Sequence, residues 1–492
     1  MKNFKKIILV ALIVTTSSAF SQTKVKFGVD CAITDPTFQE ILNDSTKDYR
    51  LFFNEFAIEK LRFPGGSPVR YFFWDNSKLS SEARKLLETY YNFRSLPKAV
   101  KKMEREIHIP KDIYRKYLQF CCRNNVTPIV QLNTIFYNDS SLLFPIEPFK
   151  KYGTQQKLTI NRWEKIESNL VAQLDYTHNI IDTVFWEIGN EDYFIYEPEV
   201  YGKIVTKYIE IIKNEYPEDQ IIVEMANSYW GRSNKDNWNK TLIKYLQANN
   251  ILSKIDFFAP HFYNNPEEIL ITSKEIEIKI RETDAQKYES KMKKYFPKTY
   301  SPKFFYTEFQ VFRKPNKNQH FNTQLHAMEM FYFMMRFAGS KNLYGVIHHC
   351  FTSNACGLFF DKKYLDRYPY MKDANKKSTY FAYISPQAKA IKLFYETCGD
   401  SILDFHANEN YLTLLSKDSN GKYLQILNFS SNEIRIEPLH ILPLGIESVI
   451  KSKYLFSELN SHQWNINTTI MEEDGLQNSF RLEAYSLLTI QF

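Results

Sequence analysis

Eight times between Val25 and His349, a short apolar run ends in polar, charged or turn-forming residues, and longer amphipathic segments separate most of these runs. The period alternates between that of a strand and that of a helix, the signature of repeated βα units. The spacing predicts strands over Val25–Asp30, Lys60–Phe63, Thr127–Asn133, Phe185–Glu191, Gln220–Ala226, Ile255–His261, Lys303–Glu308 and Tyr344–His349. It predicts helices over Asp112–Asn124, Trp163–His178, Pro198–Glu215, Thr241–Asn249 and Thr323–Ala338, and a largely helical charged segment over Glu267–Tyr295. Eight strands in this order fit a (β/α)8 barrel.

After Pro386 the pattern changes. A helix over Gln387–Thr397 gives way to alternating runs such as Tyr411–Leu415 and Tyr423–Asn428, joined by the hairpin signal Asp418-Ser419-Asn420-Gly421. The run Glu483–Ile490 closes the chain. The expected architecture is α/β: a TIM barrel over 22–398, followed by a C-terminal all-β sandwich over 399–492 that packs closely on it. The 492 residues suffice for both.

Residues 1–21 read as an export signal: Lys2, Lys5 and Lys6, then Ile7–Val14, then Ala19-Phe20-Ser21 as a cleavage site. The apolar run is too short to span a bilayer, which weighs against an uncleaved membrane anchor. No Cys stands at the cleavage point to carry a lipid. The expected location is periplasmic or extracellular. Removing the three lysines takes the formal charge from +7 to +4, too weak and dispersed for a nucleic-acid partner. The six cysteines show no metal-ligand spacing. Cys121 and Cys122 are not expected to bridge each other; Cys350 and Cys356 are either a disulfide or two buried thiols.

The fourth run, Phe185-Trp186-Glu187-Ile188-Gly189-Asn190-Glu191, sets an amide beside a carboxylate at a strand's C-terminal end, where barrels carry their active sites. Glu308 ends the seventh run. Strands four and seven lie on opposite sides of an eight-strand ring, so the two carboxylates face each other across the mouth. That is the arrangement glycoside hydrolysis needs, one group protonated to release the leaving oxygen and one ionised to attack the anomeric carbon. A lone Gly-Asn-Glu would be a weak signal, and Arg62 has a structural reading as the partner of Glu187; the order of the strand tips carries the argument. His348 and His349 point to opposite faces of a strand, so a shared metal is not expected. No cofactor is expected either.

These tips resemble those of glycoside hydrolase clan A, which place Asn-Glu after strand four and a nucleophilic Glu after strand seven. Leu61-Arg62-Phe63-Pro64-Gly65-Gly66, Asn133, Gly189-Asn190-Glu191 and His261-Phe262-Tyr263 are most similar to family 51, the α-L-arabinofuranosidases, although Ser67 stands where that family usually has Asn. Trp186-Glu187-Ile188 also resembles family 39, which includes β-xylosidases. The resemblance implies Glu191 as general acid/base with a raised pKa and Glu308 as nucleophile. It implies Asn190 on the sugar 2-hydroxyl, Arg62 and Tyr263 holding Glu308 ionised, and His261 and Asn133 shaping the subsite. Trp74, Trp230 and Phe309 follow strands two, five and seven, as sugar platforms or as loop packing. The implied partner is an oligosaccharide or polysaccharide. The alternatives are a β-xylosidase or other clan activity, a barrel that binds carbohydrate without cutting it, and a scaffold whose sandwich is the working part.

Overall fold

A computed structural model describes residues 22–66, 68–69, 72–75, 112–134, 136–137, 141–142, 163–194, 196–226, 233–264, 269–271, 276–278, 285–311, 323–352, 357–362, 380–408, 410–436, 448–456, 467–474 and 480–492. The export segment, Ser67, Trp230 and Cys356 lie outside them, as does nearly all of the insert after strand two.

Eight parallel strands close a barrel: β1 (Lys26–Asp30), β2 (Lys60–Phe63), β3 (Thr127–Leu132), β4 (Phe185–Ile188), β5 (Gln220–Met225), β6 (Phe257–Pro260), β7 (Phe304–Val311) and β8 (Leu343–His348). Each pairs with the next, β6 pairs with β7, and β8 pairs back onto β1. A short strand, Phe262–Asn264, continues alongside β7 and sets Tyr263 opposite Gln310.

Residues two apart on a strand share a face, and this period builds the barrel interior in two storeys. The lower storey is apolar and buried: Ile129, Phe185, Ile222, Phe257, Ala259, Phe305 and Ile347. Lys60 closes it from below, its ammonium 4.0 Å from the Phe185 ring centre; burial lowers its pKa to about 8. Two residues further along five of the strands stand Arg62, Gln131, Glu187, Glu224 and Thr307, all buried. The upper storey is therefore a layer of polar side chains resting on an apolar floor.

Helices cover the outside, with starts and stops of ordinary chemistry. Pro198 and Pro386 occupy first turns, Thr323 and Ser385 accept amide hydrogens at N-termini, and Asn125 ends Ile113–Asn124 in the left-handed conformation. The helix before β6 begins at Ser233, earlier than its apolar pattern predicts. The segment expected to be largely helical departs further. Ile269–Ile271 and Ile276–Ile278 pair as antiparallel strands, leaving Ala285–Lys293 as the helix. The Ile-x-Ile spacing is a strand period, and β-branching favours it over the helix suggested by the flanking charges.

The C-terminal residues form an antiparallel sheet that includes Ser401–Ala407, Tyr411–Asp418, Gly421–Asn428, Ser448–Leu455, Asn467–Asp474 and Ser486–Gln491, with a two-stranded ribbon of Ile434–Ile436 and Phe480–Leu482. Gln22–Thr23 joins its edge by pairing with Ser401 and Ile402. The sheet packs on helix Gln324–Ala338: Tyr332 and Phe429 meet edge to face at 5.0 Å, and Leu412, Leu414, Leu427 and Leu487 belong to the same apolar core as the barrel. That helix is buried almost all round because barrel and sheet flank it.

Candidate active site

The polar storey is organised by Arg62. Its guanidinium is fully buried, with Nε 2.6 Å from Glu187 Oε2, Nη1 2.8 Å from Glu308 Oε1 and 3.4 Å from Asp30 Oδ1, and Nη2 2.7 Å from Asn190 Oδ1. This buried cation holds Glu187 and Glu308 through charge-assisted hydrogen bonds and Asp30 by charge alone. The structural reading of Arg62 as the partner of Glu187 and the functional one as the holder of Glu308 are both realised in one side chain.

Glu308 reaches this layer through a bulge. Tyr306 pairs with Val346 but Phe309 pairs with His348, so β7 carries one extra residue here. Strict alternation would turn either Thr307 or Glu308 outward. The bulge turns both inward, and Thr307 Oγ1 donates to Glu187 Oε1 at 2.6 Å while Glu308 takes Arg62. Glu308 Oε2 accepts from the Tyr263 hydroxyl and lies 3.2 Å from His261 Nδ1 and 3.8 Å from His349 Nδ1. Burial opposes its charge, but His261, His349 and Arg62 outweigh it and, with Tyr263, hold the carboxyl well below the usual range. Gly66 backs the same carboxylate: a Cβ there would stand 3.2 Å from Glu308 Oε1, at a φ of 69°.

Glu191 stands in a turn of left-handed backbone, Gly189 at φ 86° and Glu191 itself at φ 52°. Its side chain is 26% exposed against 5% for Glu308, so it opens toward the mouth. Glu191 Oε1 accepts from the Tyr193 hydroxyl at 2.8 Å and lies 3.2 Å from His261 Nδ1. One histidine nitrogen thus faces both carboxylates, and ligand oxygens of Glu191 and Glu308 lie within 4.8 Å of each other. The expectation of a raised Glu191 pKa needs correcting. Burial and Glu308 push it up, but the hydrogen bond and charge of His261, with help from Tyr193, leave it below the ordinary value.

Asn190 is oriented by its own oxygen, which accepts from Arg62 and, at 3.1 Å, from Gln131 Nε2; a sugar hydroxyl would meet the amide through Nδ2. Gln131 Oε1 also takes the amides of Gly65 and Gly66 at 3.1 and 3.0 Å, tying the β2 turn to Asn190. Asn133 is at the rim, with Nδ2 donating to the Phe72 carbonyl at 3.3 Å. Trp74 is half-buried, its Nε1 3.1 Å from Asn169 and its ring packed on Tyr176. Phe309 lies inside β7 rather than after it; fully buried against Phe262 and Phe337, it is core and no sugar platform. His348 and His349 do diverge: His348 is buried with Nδ1 on the Cys350 carbonyl, and His349 turns to Asp30 Oδ2 at 3.1 Å.

Sequence reasoning passed over Asp30, Gln131, Asp192, Glu224 and, as a site residue, His349. Asp30, Gln131 and Glu224 occupy the upper storey of strands it had identified, two residues beyond apolar or small inward positions, and the period of two would have found them. Among the described residues, three groups, Asp30–Glu308–His349, Glu187–Glu224–His261 and Glu191–His261–Glu308, bring ligand atoms within 4.8 Å, close enough to hold a cation. In the first, the Arg62 guanidinium already sits against both carboxylates.

A closed barrel of eight parallel strands with two carboxylates facing each other at its C-terminal mouth is thus in place, and solved structures share its fold. A family 51 α-L-arabinofuranosidase of Thermotoga petrophila superposes with a TM-score of 0.61 at 13% identity, covering 96% of this chain and 98% of that one. A family 51 α-L-arabinofuranosidase of Bifidobacterium longum gives 0.60 at 11% identity, over 96% and 97%. A family 30 endoxylanase of Clostridium papyrosolvens gives 0.52 at 11%, over 96% and 98%. By sequence, no protein-family model and no curated protein matches the chain. Likeness at such identities is likeness of fold.

Proposed function

We propose that the protein is an exported retaining glycoside hydrolase, with α-L-arabinofuranosidase as its lead activity. The observation that carries this is the unequal pair of carboxylates. Glu308 is buried, clasped by Arg62 and Tyr263 and kept ionised; Glu191 is partly open and held by Tyr193 and His261. Oxygens within 4.8 Å of each other suit the short gap of a double displacement, about 5–5.5 Å between carboxyl groups, better than the wider gap that leaves room for water.

Glu308 attacks the anomeric carbon, forming an ester as the glycosidic C–O bond breaks. Glu191, whose protonated form burial and the ionised Glu308 beside it favour against the pull of His261, gives its proton to the departing oxygen. Glu191, now ionised, takes a proton from water, whose oxygen attacks the same carbon and releases Glu308. Asn190 Nδ2 donates to the 2-hydroxyl, a contact that strengthens as charge develops on the ring. The substrate is a glycoside of an oligosaccharide or polysaccharide. The arabinofuranosidase lead rests on the tip residues and on fold likeness spanning nearly the whole of both chains; export rests on the residue pattern of 1–21.

The test is hydrolysis of aryl α-L-arabinofuranoside, β-D-xyloside, β-D-glucoside, β-D-galactoside and β-D-glucuronide by the native protein and by Glu308→Ala. We expect turnover of the arabinofuranoside, abolished by the substitution and restored in part by azide. Turnover of another glycoside reassigns the sugar. Oligosaccharides that bind without being cut overturn the catalytic reading in favour of carbohydrate binding.

A further inference from the structure

The turn that presents Glu191 is held by a second carboxylate, which the mechanism above does not use. Glu224 stands in the upper storey of β5, 1% exposed. Its Oε1 accepts from the backbone amide of Glu191 and its Oε2 from that of Asp192 at 3.0 Å. The preceding amide, of Asn190, ends on Asp192 Oδ1 at 3.3 Å, and Thr134 donates to Asp192 Oδ2. Three consecutive backbone N–H groups thus end on two buried carboxylates. Successive amides in a turn with left-handed residues form a concavity that takes acceptor oxygens, and here side chains of the protein itself supply them.

We propose that Glu224 is the positioning residue of the general acid/base, keeping Glu191 in its left-handed turn so that its carboxyl meets Tyr193, His261 and the departing oxygen together. The proposal rests on the reading of Glu191 as the acid. Left-handed backbone is unfavourable for a residue with a Cβ and persists where its surroundings impose it. Glu224 is the group that does so, because it joins the tip of β5 to the turn after β4. Its seat is otherwise unfavourable: burial, Asp192 and Glu187 push its carboxyl well above the ordinary range, and the two amides oppose them. A buried carboxyl with acidic neighbours is a poor structural staple unless both of its oxygens are needed. Tyr201 fixes the same strand from behind, its hydroxyl donating to the Ile188 carbonyl and accepting from the Glu224 amide. Glutamine in place of Glu224 would offer one acceptor, and its NH2 would confront a backbone N–H.

Loss of positioning has a signature that loss of packing lacks. A displaced acid harms glycosides whose leaving group must be protonated and spares those whose leaving group departs unaided. The experiment compares kcat/KM for a phenyl and a dinitrophenyl glycoside of the sugar the enzyme takes, in the native protein, Glu191→Ala, Glu224→Gln and Glu224→Asp, with azide added to each. Glu191→Ala sets the pattern, a loss of about 100-fold or more on the phenyl glycoside. Glu224→Gln is expected to follow it at about 10–100-fold on the phenyl glycoside, with the dinitrophenyl glycoside little changed in kcat/KM and its turnover accelerated by azide. Glu224→Asp, which keeps two acceptors on a shorter stem, recovers part of the loss and stands in if the glutamine variant does not fold. Equal losses on both glycosides, or none on either, overturn the proposal while the acid role stands. If Glu191→Ala itself fails to discriminate between them, the assignment of Glu191 falls, and the role of Glu224 with it.

Discussion

Replacing Arg62 with methionine removes the cation on which the polar storey is built and keeps most of the side-chain volume. Glu187, Glu308 and Asp30, all at most 5% exposed, then remain buried without it. Breaking a buried ion pair from one side typically destabilises by about 3–5 kcal/mol. Three carboxylates share this guanidinium, so the upper end of that range is expected. Against a total of about 5–15 kcal/mol the loss is a large fraction. Its pH dependence is the sharper test. In the native protein Glu308 lies well below its unfolded value, so its interactions contribute stability that is present above that value, about 4.3, and is lost as pH falls through the folded one. Without Arg62, one of the groups holding Glu308 ionised is gone and burial counts for more. The destabilisation is then greatest at neutral pH and relieved on acidification as the carboxyl takes a proton. Urea denaturation of both proteins at about pH 7 and about pH 4.5 measures this. A loss below about 1 kcal/mol at the higher pH, the size of an exposed pair, or a loss that does not shrink on acidification, refutes the reasoning.

The position of His261 predicts that His261→Asn moves the bell-shaped pH profile of kcat/KM to higher pH as a whole. The histidine lowers both Glu308 and Glu191; without it the nucleophile ionises later and the acid keeps its proton longer. A profile that stays in place or moves down contradicts the assignment. Gly189→Ala is expected to destabilise by more than the about 1–2 kcal/mol of a left-handed residue, because a Cβ there would lie 2.2 Å from Asp192 Oδ2. A thermal melt reads the loss, and activity should fall further than stability, since the same turn carries Asn190 and Glu191.

The candidate site was legible where the chemistry is local to a strand end. Glu191 and Asn190 stand where the apolar run of strand four stops, and Arg62 and Tyr263 are implied by the resemblance of the strand tips; the structure brings Arg62, Tyr263 and Glu191 to Glu308, with Asn190 on Arg62. Asn133 is at the predicted strand end, but its side chain turns to the Phe72 carbonyl, a choice made by the neighbouring loop. The pKa of Glu191 was misjudged for a related reason: His261 belongs to another strand, and its distance from both carboxylates is a property of the closed ring.

By itself the sequence determined the eight barrel strands to within a few residues and the placing of Glu191 and Glu308 at the upper ends of strands four and seven, because a period of two, apolar content and breaking residues are encoded along the chain. It also marked the change to antiparallel strands after Pro386. Only the tertiary structure decided that Thr307 and Glu308 both face inward, since a bulge depends on the strands alongside. It alone decided that Arg62 serves Glu187, Glu308 and Asn190 at once, and that Glu224 holds the turn beside it. Those contacts join residues 32 to 246 positions apart, and they exist because closing the ring brings the upper ends of all its strands to one small space.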